Sequence, residues 1–305
     1  MHDSTIRYRG RFAPSPTGPL HFGSLIAAVG SCLEARRNGG EWRVRMEDLD
    51  LPREEPGAAD AILRTLEAYG FEWDGPVLRQ SARGEAYATA LARLQRGGFV
   101  FACACTRREI SDSTLGGASE PVYPGTCRNG IAPGRAARAI RMRVDDAVIG
   151  FHDRVQGRIE QDLAREVGDF VVRRADGLFA YQLAVVVDDF DQGITDVVRG
   201  ADLLASTPRQ ILLQRRLGYP APQYAHLPVA VNPAGEKLSK QTRAAPIEAG
   251  EAPLRLWRAL NFLGQDPPPV LRGESVADLW IWARANWRRD RVPRRHSIGD
   301  PTVDL

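Results

Sequence analysis

Three groups of residues in this 305-residue chain have types and spacings that could do chemistry. The first lies near the N-terminus, where Ala13-Pro14-Ser15-Pro16-Thr17-Gly18-Pro19 is a Pro/Gly-rich turn. It leads through Leu20 into His21-Phe22-Gly23-Ser24 and an apolar helix reading from Leu25 to Leu33. A helix that starts there aims backbone N–H groups and the positive end of its dipole at whatever lies in front. His21 can donate to a phosphate oxygen, and Gly18 and Gly23 let a ligand approach the main chain. The second group comes more than two hundred residues later, as Lys237-Leu238-Ser239-Lys240-Gln241 behind the turn Asn232-Pro233-Ala234-Gly235-Glu236. Two lysines three apart on a loop can bring a point charge onto a polyphosphate. The third group is Cys103-Ala104-Cys105 with Cys127. Three thiolates are an incomplete tetrahedral zinc set, although C-x-C by itself is equally compatible with plain core thiols. Cys32, on the apolar face of the first helix, reads as core.

These groups need elements to hold them. Gly39-Gly40 ends the first helix, and Arg43-Val44-Arg45-Met46 alternates as a strand delivering Glu47 and Asp48 to its C-terminal end. Ala58 to Tyr69 and Gly84 to Gln95 read as further amphipathic helices. The first ninety residues therefore predict a doubly wound α/β start, with ligands at the carboxyl ends of the strands. Short strand-like runs (Phe99–Cys103, Ala139–Val144, Val148–Asp153) then surround a Gly/Ser/Pro-rich loop from Ser111 to Gly134, and this stretch reads as an insertion. Leu183 to Val187 is expected to be an apolar strand, Arg209 to Leu217 a helix and Ala225 to Val231 a strand, so the parallel sheet resumes. Asp188, Asp189 and Asp191 look like metal ligands in isolation. They are read as structural, because they follow a core strand. Pro253 to Leu263 and Ser275 to Asn286 are expected helices. The expected organisation is a catalytic domain in two halves, 1–98 and 176–250, an inserted subdomain with the zinc site at 99–175, and a short helical region at 251–305.

The run Arg11-Phe12-Ala13-Pro14-Ser15-Pro16-Thr17-Gly18-Pro19-Leu20-His21-Phe22-Gly23-Ser24 and the run Lys237 to Gln241 resemble the two signatures of class I aminoacyl-tRNA synthetases, HIGH and KMSKS. Together with Met46-Glu47-Asp48-Leu49-Asp50, Tyr181 to Asp189 and Val198-Arg199-Gly200-Ala201-Asp202, they resemble the glutamyl subfamily, from about residue 7 to about residue 245. The resemblance implies a Rossmann-type doubly wound parallel sheet, ATP with Mg2+ as substrate, and glutamyl-adenylate formation. His21, Lys237 and Lys240 are then the catalytic candidates, and His21, Gly23, Ser24 and Lys240 the ATP contacts. Carboxylate attack on the α-phosphorus needs no protein nucleophile, only positioning and stabilisation of charge on the phosphate oxygens. Ser24 stands where most relatives have a second histidine.

L-Glutamate offers an ammonium and two carboxylates, which an acid and arginines suit. By resemblance Arg11, Phe12, Ala13, Pro14, Ser15, Glu47, Tyr181 and Arg199 line the amino-acid pocket, with Glu47 for the ammonium. Resemblance also supplies Tyr123 as fourth ligand of one structural Zn2+ with Cys103, Cys105 and Cys127. Only about 65 residues follow the lysine loop, where glutamyl-tRNA synthetases carry a long anticodon-binding region. That points to a truncated paralogue, and the resemblance of HFGSL and KLSKQ to the motifs of such paralogues implies binding of the anticodon stem-loop of tRNA(Asp) and transfer of glutamate to its queuosine base. The alternatives are a short enzyme charging the tRNA 3′ end and an inactive tRNA- or amino-acid-binding module.

Composition sets outer bounds. With 43% hydrophobic and 26% charged residues the chain can build a full core. No apolar run approaches the roughly 18 residues of a membrane span, and MHDSTIRYRGR has no apolar h-region. A cytoplasmic monomer without membrane contact is expected, in which disulfides are disfavoured. The net charge of +3 identifies no partner. Residues 287–296, however, hold five arginines, which is either a solvated tail or a phosphate-contacting patch.

Overall fold

The structure, a computed structural model, describes residues 7–50, 53–112, 122–145, 148–238 and 245–299. Strand β1 (Arg9–Phe12) leads through the Pro/Gly turn into α1 (Phe22–Arg37), and Gly39, at φ +60°, lets the chain reverse into β2 (Glu41–Met46). β1 and β2 are parallel, in register from Arg9 opposite Glu41 to Phe12 opposite Val44. After α2 (Ala58–Ala68), β3 (Leu78–Arg79) pairs in parallel with the other edge of β2. This is the βαβ logic of a doubly wound sheet.

Helix α3 (Gly84–Arg96) precedes β4 (Val100–Cys103), α4 (Arg107–Asp112) and β5 (Ala139–Met142). The hairpin β6 (Val148–Asp153) and β7 (Gly157–Asp162), the single turn α5 (Leu163–Glu166) and β8 (Val171–Arg173) follow. β4, β5 and β8 form an antiparallel sheet of their own. β6 and β7 lie between them in sequence but leave that sheet. β6 pairs in parallel with β10 (Gln223–Leu227), which in turn pairs in parallel with β9 (Asp196–Gly200). A backbone hydrogen bond from Thr195 N to Arg9 O, 3.0 Å, sets the start of β9 beside β1.

The expected strand Leu183–Val187 is instead the centre of a helix, α6 (Tyr181–Asp191). A short continuous apolar run carries no periodicity that separates a buried strand from a buried helix. Here Leu183 to Asp189 are all buried, packed with α3 and α7 (Thr207–Leu217). The parallel strand that follows is β9.

Helix α1 is also buried nearly all round. One side faces the sheet, and the other is covered by α8 (Ala252–Phe262) and α9 (Val276–Asn286), which follow β11 (Val229–Val231). Gly30 sits where the helix meets β10. A Cβ there would lie 2.5 Å from Leu227 Cδ1, so glycine sets the helix–strand approach. Trp287 fills the space behind α1 and donates from Nε1 to Glu34, 2.7 Å. The last strand, β12 (Ser297–Gly299), returns to pair in parallel with β11, Ser297 opposite Val229.

Candidate active site

A cleft of about 740 Å³ opens at the carboxyl ends of β1, β2, β9 and β10, in front of α1. Arg11, Phe12, Ala13, Pro14, Ser15, His21, Gly23, Ser24, Glu47, Tyr181, Arg199 and Lys237 all line it. Lys240 lies outside the described residues. Parallel α/β sheets build such clefts because strand ends and helix N-termini converge on one edge.

The two signatures meet at the start of α1. His21 is the N-cap: its Nδ1 accepts from Ser24 N at 3.3 Å, so a neutral ring carries its proton on Nε2, the donor an anion needs. The cap also engages the Ser24 amide, so the N–H groups ahead of it in the helix are those of Phe22 and Gly23. A Cβ on Gly23 would lie 3.1 Å from the His21 ring, so glycine gives the capping imidazole its room, and Leu238 O comes to 3.4 Å of the same point. Leu238 N donates to Ala230 O at 2.9 Å, and Ile247 N to Leu20 O at 3.0 Å. The chain is thus fastened to this corner on both sides of residues 239–244. Lys237 Nζ contacts Asp202 Oδ2 at 2.5 Å.

The inner end of the cleft holds two arginines, each gripped on the same edge. Arg11, 3% exposed, donates from Nε and Nη2 to the two oxygens of Asp189, 3.1 and 3.3 Å. Arg199, 5% exposed, donates from Nε to His226 Nε2 at 3.0 Å, and from Nη2 to Thr207 Oγ1 and Gln210 Oε1 at 2.8 Å each. A guanidinium has five N–H donors in a fixed fork. With the Nε/Nη2 edge engaged, Arg11 keeps the second hydrogen of Nη2 as well as Nη1, while Arg199, whose Nη2 makes two bonds, has only Nη1 left. For Arg199 it lies 3.5 Å from the Tyr181 hydroxyl.

Burial raises the Tyr181 phenol, against the pull of Arg199, so it stays a neutral donor. Burial likewise raises the Glu47 carboxyl above its usual range, although Arg45 and Arg11 hold it down. Arg45 links the two halves of this network. It is completely buried and reaches Asp189 Oδ1 and Gln192 Oε1 at 2.8 Å each and Glu47 Oε1 at 3.3 Å. Asp188 is held by Gln80, Arg83 and Tyr87 at 2.7 to 3.0 Å. Both aspartates are therefore structural as expected, but from a helix face and not a strand end. Burial would raise the Asp189 carboxyl, yet Arg11 and Arg45 bring it below its ordinary value.

Sequence reasoning passed over Arg45, His226, Thr207, Gln210 and Asp153. The alternation that marks β2 places Arg45 on the same face as Arg43 and offers no sign that one is a surface ion pair and the other the centre of the network.

The thiols come together outside the cleft. Cys103, Cys105 and Cys127 place their sulfurs within 4.8 Å of one another, Cys105 and Cys127 at 3.6 Å. The Tyr123 hydroxyl is 3.4 Å from Cys103 Sγ and 3.8 Å from Cys105 Sγ. Tetrahedral bonds of about 2.3 Å would separate two sulfurs by roughly 3.8 Å, so the four atoms fit around one metal ion. Arg141 Nε donates to Cys103 Sγ at 3.3 Å and its guanidinium lies 3.9 Å over the Tyr123 ring, while Ala104 N points at Cys127 Sγ at 3.5 Å. Burial opposes ionisation of Cys103, but bonds from Tyr123 and Arg141 outweigh it and lower that thiol. Donors outside the four, here Arg141 and the Ala104 amide, are what orient thiolate ligands.

Residues 7–252 match the family model for the catalytic domain of class I tRNA synthetases, E and Q type. A glutamyl-Q tRNA(Asp) synthetase of Dechloromonas aromatica is 65% identical over 95% of this chain and 97% of its own length. The protein of that name from Chromobacterium violaceum is 60% identical over the same shares. Among solved structures, a glutamate tRNA ligase of Elizabethkingia meningosepticum superposes with a TM-score of 0.77 at 25% identity, over 96% of this chain and 67% of that one. Among the described residues no helix is long and apolar enough to cross a membrane.

Proposed function

The chain belongs to the class I tRNA synthetases of the glutamate and glutamine type, and from that premise we propose that it activates L-glutamate with ATP and transfers the glutamyl group to the queuosine base in the anticodon of tRNA(Asp). The observation that carries this is one cleft that brings the phosphate-facing start of α1 within reach of an acid and two buried arginines. ATP lies along His21, Gly23 and Ser24 with its phosphates toward Lys237 and Lys240, assisted by Mg2+. Glu47 takes the ammonium of glutamate. The carboxylates meet Nη1 of Arg11 and of Arg199, with the Tyr181 hydroxyl beside the latter, and Phe12 to Ser15 form the wall. One carboxylate oxygen attacks the α-phosphorus and pyrophosphate leaves. Charge builds on phosphate oxygens, where prepositioned N–H donors and lysine are most effective. Cys103, Cys105, Tyr123 and Cys127 would hold a Zn2+ ion, which would pin the loop that carries Tyr123 and Cys127, and the protein acts as a cytoplasmic monomer.

The match over 97% of the length of proteins named glutamyl-Q tRNA(Asp) synthetases favours a base acceptor. The structural likeness to glutamate tRNA ligases keeps a second reading in play, charging of the tRNA 3′ end. An anticodon arm of tRNA(Asp) containing queuosine separates them. Under the first reading it accepts glutamate about as well as whole tRNA, and removing the 3′-terminal adenosine of the whole tRNA changes nothing. If the arm is inert and a 3′-terminal minihelix is charged, the second reading replaces it.

A further inference from the structure

We propose that His226, aligned by Asp153, is a positioning residue that fixes the direction in which Arg199 presents its charge to the amino acid; this rests on the reading of Arg199 as a glutamate-binding cation. Neither residue lines the cleft. His226 is completely buried and Asp153 is 1% exposed. His226 Nδ1 lies 2.6 Å from Asp153 Oδ2, and Arg199 Nε lies 3.0 Å from His226 Nε2.

A guanidinium can only donate, so Nε2 must offer its lone pair and the ring proton must sit on Nδ1, donated to the carboxylate. The carboxylate is itself fixed to the main chain: its Oδ1 accepts from the backbone amides of Val155, Gln156 and His226 at 3.0, 2.8 and 3.1 Å. A single line of hydrogen bonds therefore runs from the β6–β7 turn through Asp153 and His226 to Arg199.

The groups around the imidazole agree with a neutral ring. Asp153 lies on one side and Arg199 and Thr207 on the other, Thr207 Oγ1 at 3.3 Å, with the Tyr224 ring stacked at 6.1 Å. Burial, with Arg199 adding to it, lowers the imidazole to about 4 against the pull of Asp153. A protonated ring would have no lone pair for Arg199 and would set two cations together. The neutral ring instead bridges a buried carboxylate and a buried guanidinium, holding the Nε corner while Thr207 and Gln210 hold Nη2. Nη1 is then directed at Tyr181 and the cleft.

The test is glutamate-dependent ATP–pyrophosphate exchange by the full chain. His226→Leu, which keeps bulk but removes the acceptor, should raise the glutamate KM about tenfold and leave the ATP KM within about twofold, the usual effect of losing one hydrogen bond to a charge. His226→Gln, whose amide oxygen can stand near the Nε2 position, should recover most of the loss. In an Arg199→Leu background, His226→Leu should add nothing further to the glutamate KM. A folded His226→Leu with an unchanged glutamate KM, beside an Arg199→Leu whose glutamate KM has risen, overturns the positioning role. An Arg199→Leu with an unchanged glutamate KM overturns the reading of Arg199 itself. Nitrogen NMR of the wild-type imidazole tests the claim even where variants fail to fold: a proton on Nδ1 agrees with it, and a proton on Nε2 refutes it.

Discussion

Replacing Arg45 by methionine should destabilise the protein and weaken glutamate binding together. The side chain is completely buried, and its charge is matched by Asp189 at 2.8 Å and Glu47 at 3.3 Å, with Asp188 at 4.0 Å. Methionine fills similar volume but leaves the carboxylates without that cation. Removing one partner of a buried pair costs about 3–5 kcal/mol. Asp189 keeps its two bonds from Arg11, so the lower end applies, about 3 kcal/mol. At about 2–4 °C per kcal/mol for a large domain, the melting temperature should fall by roughly 6–12 °C. Losing Arg45 also removes the largest influence that lowers the Glu47 carboxyl. The carboxylate then loses the cation that opposes its burial, and the glutamate KM should rise while the ATP KM holds. Urea unfolding followed by pyrophosphate exchange measures both. Arg158→Met, which breaks an exposed contact with Glu160, is the control and should leave the melting temperature unchanged. A stability loss below about 1 kcal/mol in Arg45→Met would refute the claim that this cation neutralises the network.

Further outcomes follow from the same geometry. Protein purified without chelator should carry one zinc per chain, and Cys127→Ser should lose it with local unfolding of the thiol subdomain; a metal-free, fully folded wild type would rule the site out. From the resemblance of Lys237 to Gln241 to KMSKS, Lys240→Ala should slow glutamyl-adenylate formation more than tenfold with the fold intact, since one donor that meets developing charge is worth about 3 kcal/mol; unchanged pyrophosphate exchange would remove that lysine from the mechanism. His226 gives a pH signature. Its folded value, about 4, lies below the ordinary 6.5, so the unfolded chain binds the extra proton between them. The stability this group contributes is complete above about pH 6.5 and declines as pH falls toward 4, by up to roughly 3 kcal/mol at ~1.4 kcal/mol per unit. Thermal melts should show that slope in the wild type and a flatter one in His226→Gln.

The residues proposed to touch substrate were legible because their chemistry is local. A Pro/Gly turn ahead of an apolar helix, and lysines behind a second turn, carry their meaning within a few residues, and the resemblance extended this to Glu47, Tyr181 and Arg199. Helix α6 was misread because Leu183 to Val187 is apolar on every side in either conformation, and only packing against α3 and α7 decides which. The supporting contacts were not legible at all. Arg11 and Arg45 reach Asp189 across 178 and 144 residues, and His226 reaches Asp153 across 73. No pattern of neighbouring residues encodes pairings at that range. The position of the C-terminal arginines was equally hidden. Arg288 pairs with Asp290, and Arg289 turns inward to Glu34. Arg294 and Arg295 stay exposed just ahead of β12, whose partner strand lines the cleft.

Gripping both arginines on their Nε/Nη2 edges has a consequence for how the cleft recognises its amino acid. A long cation on a surface must be immobilised each time a ligand binds, with a loss of about 0.5–1.5 kcal/mol of rotamer freedom. Here Asp189 has already fixed Arg11, and His226, Thr207 and Gln210 have fixed Arg199, so that ordering belongs to folding. Arg199 then offers one corner, Nη1, whereas Arg11 keeps Nη1 and the second hydrogen of Nη2. The anchors come from β6, α6, α7 and β10, so the cleft is complete only when the elements of both halves of the chain are in place. Asp153 ties the β6–β7 turn to this arrangement through its bonds to Val155 N, Gln156 N and His226. A change in that turn which moved Asp153 would therefore reach glutamate recognition through Arg199 without touching the cleft.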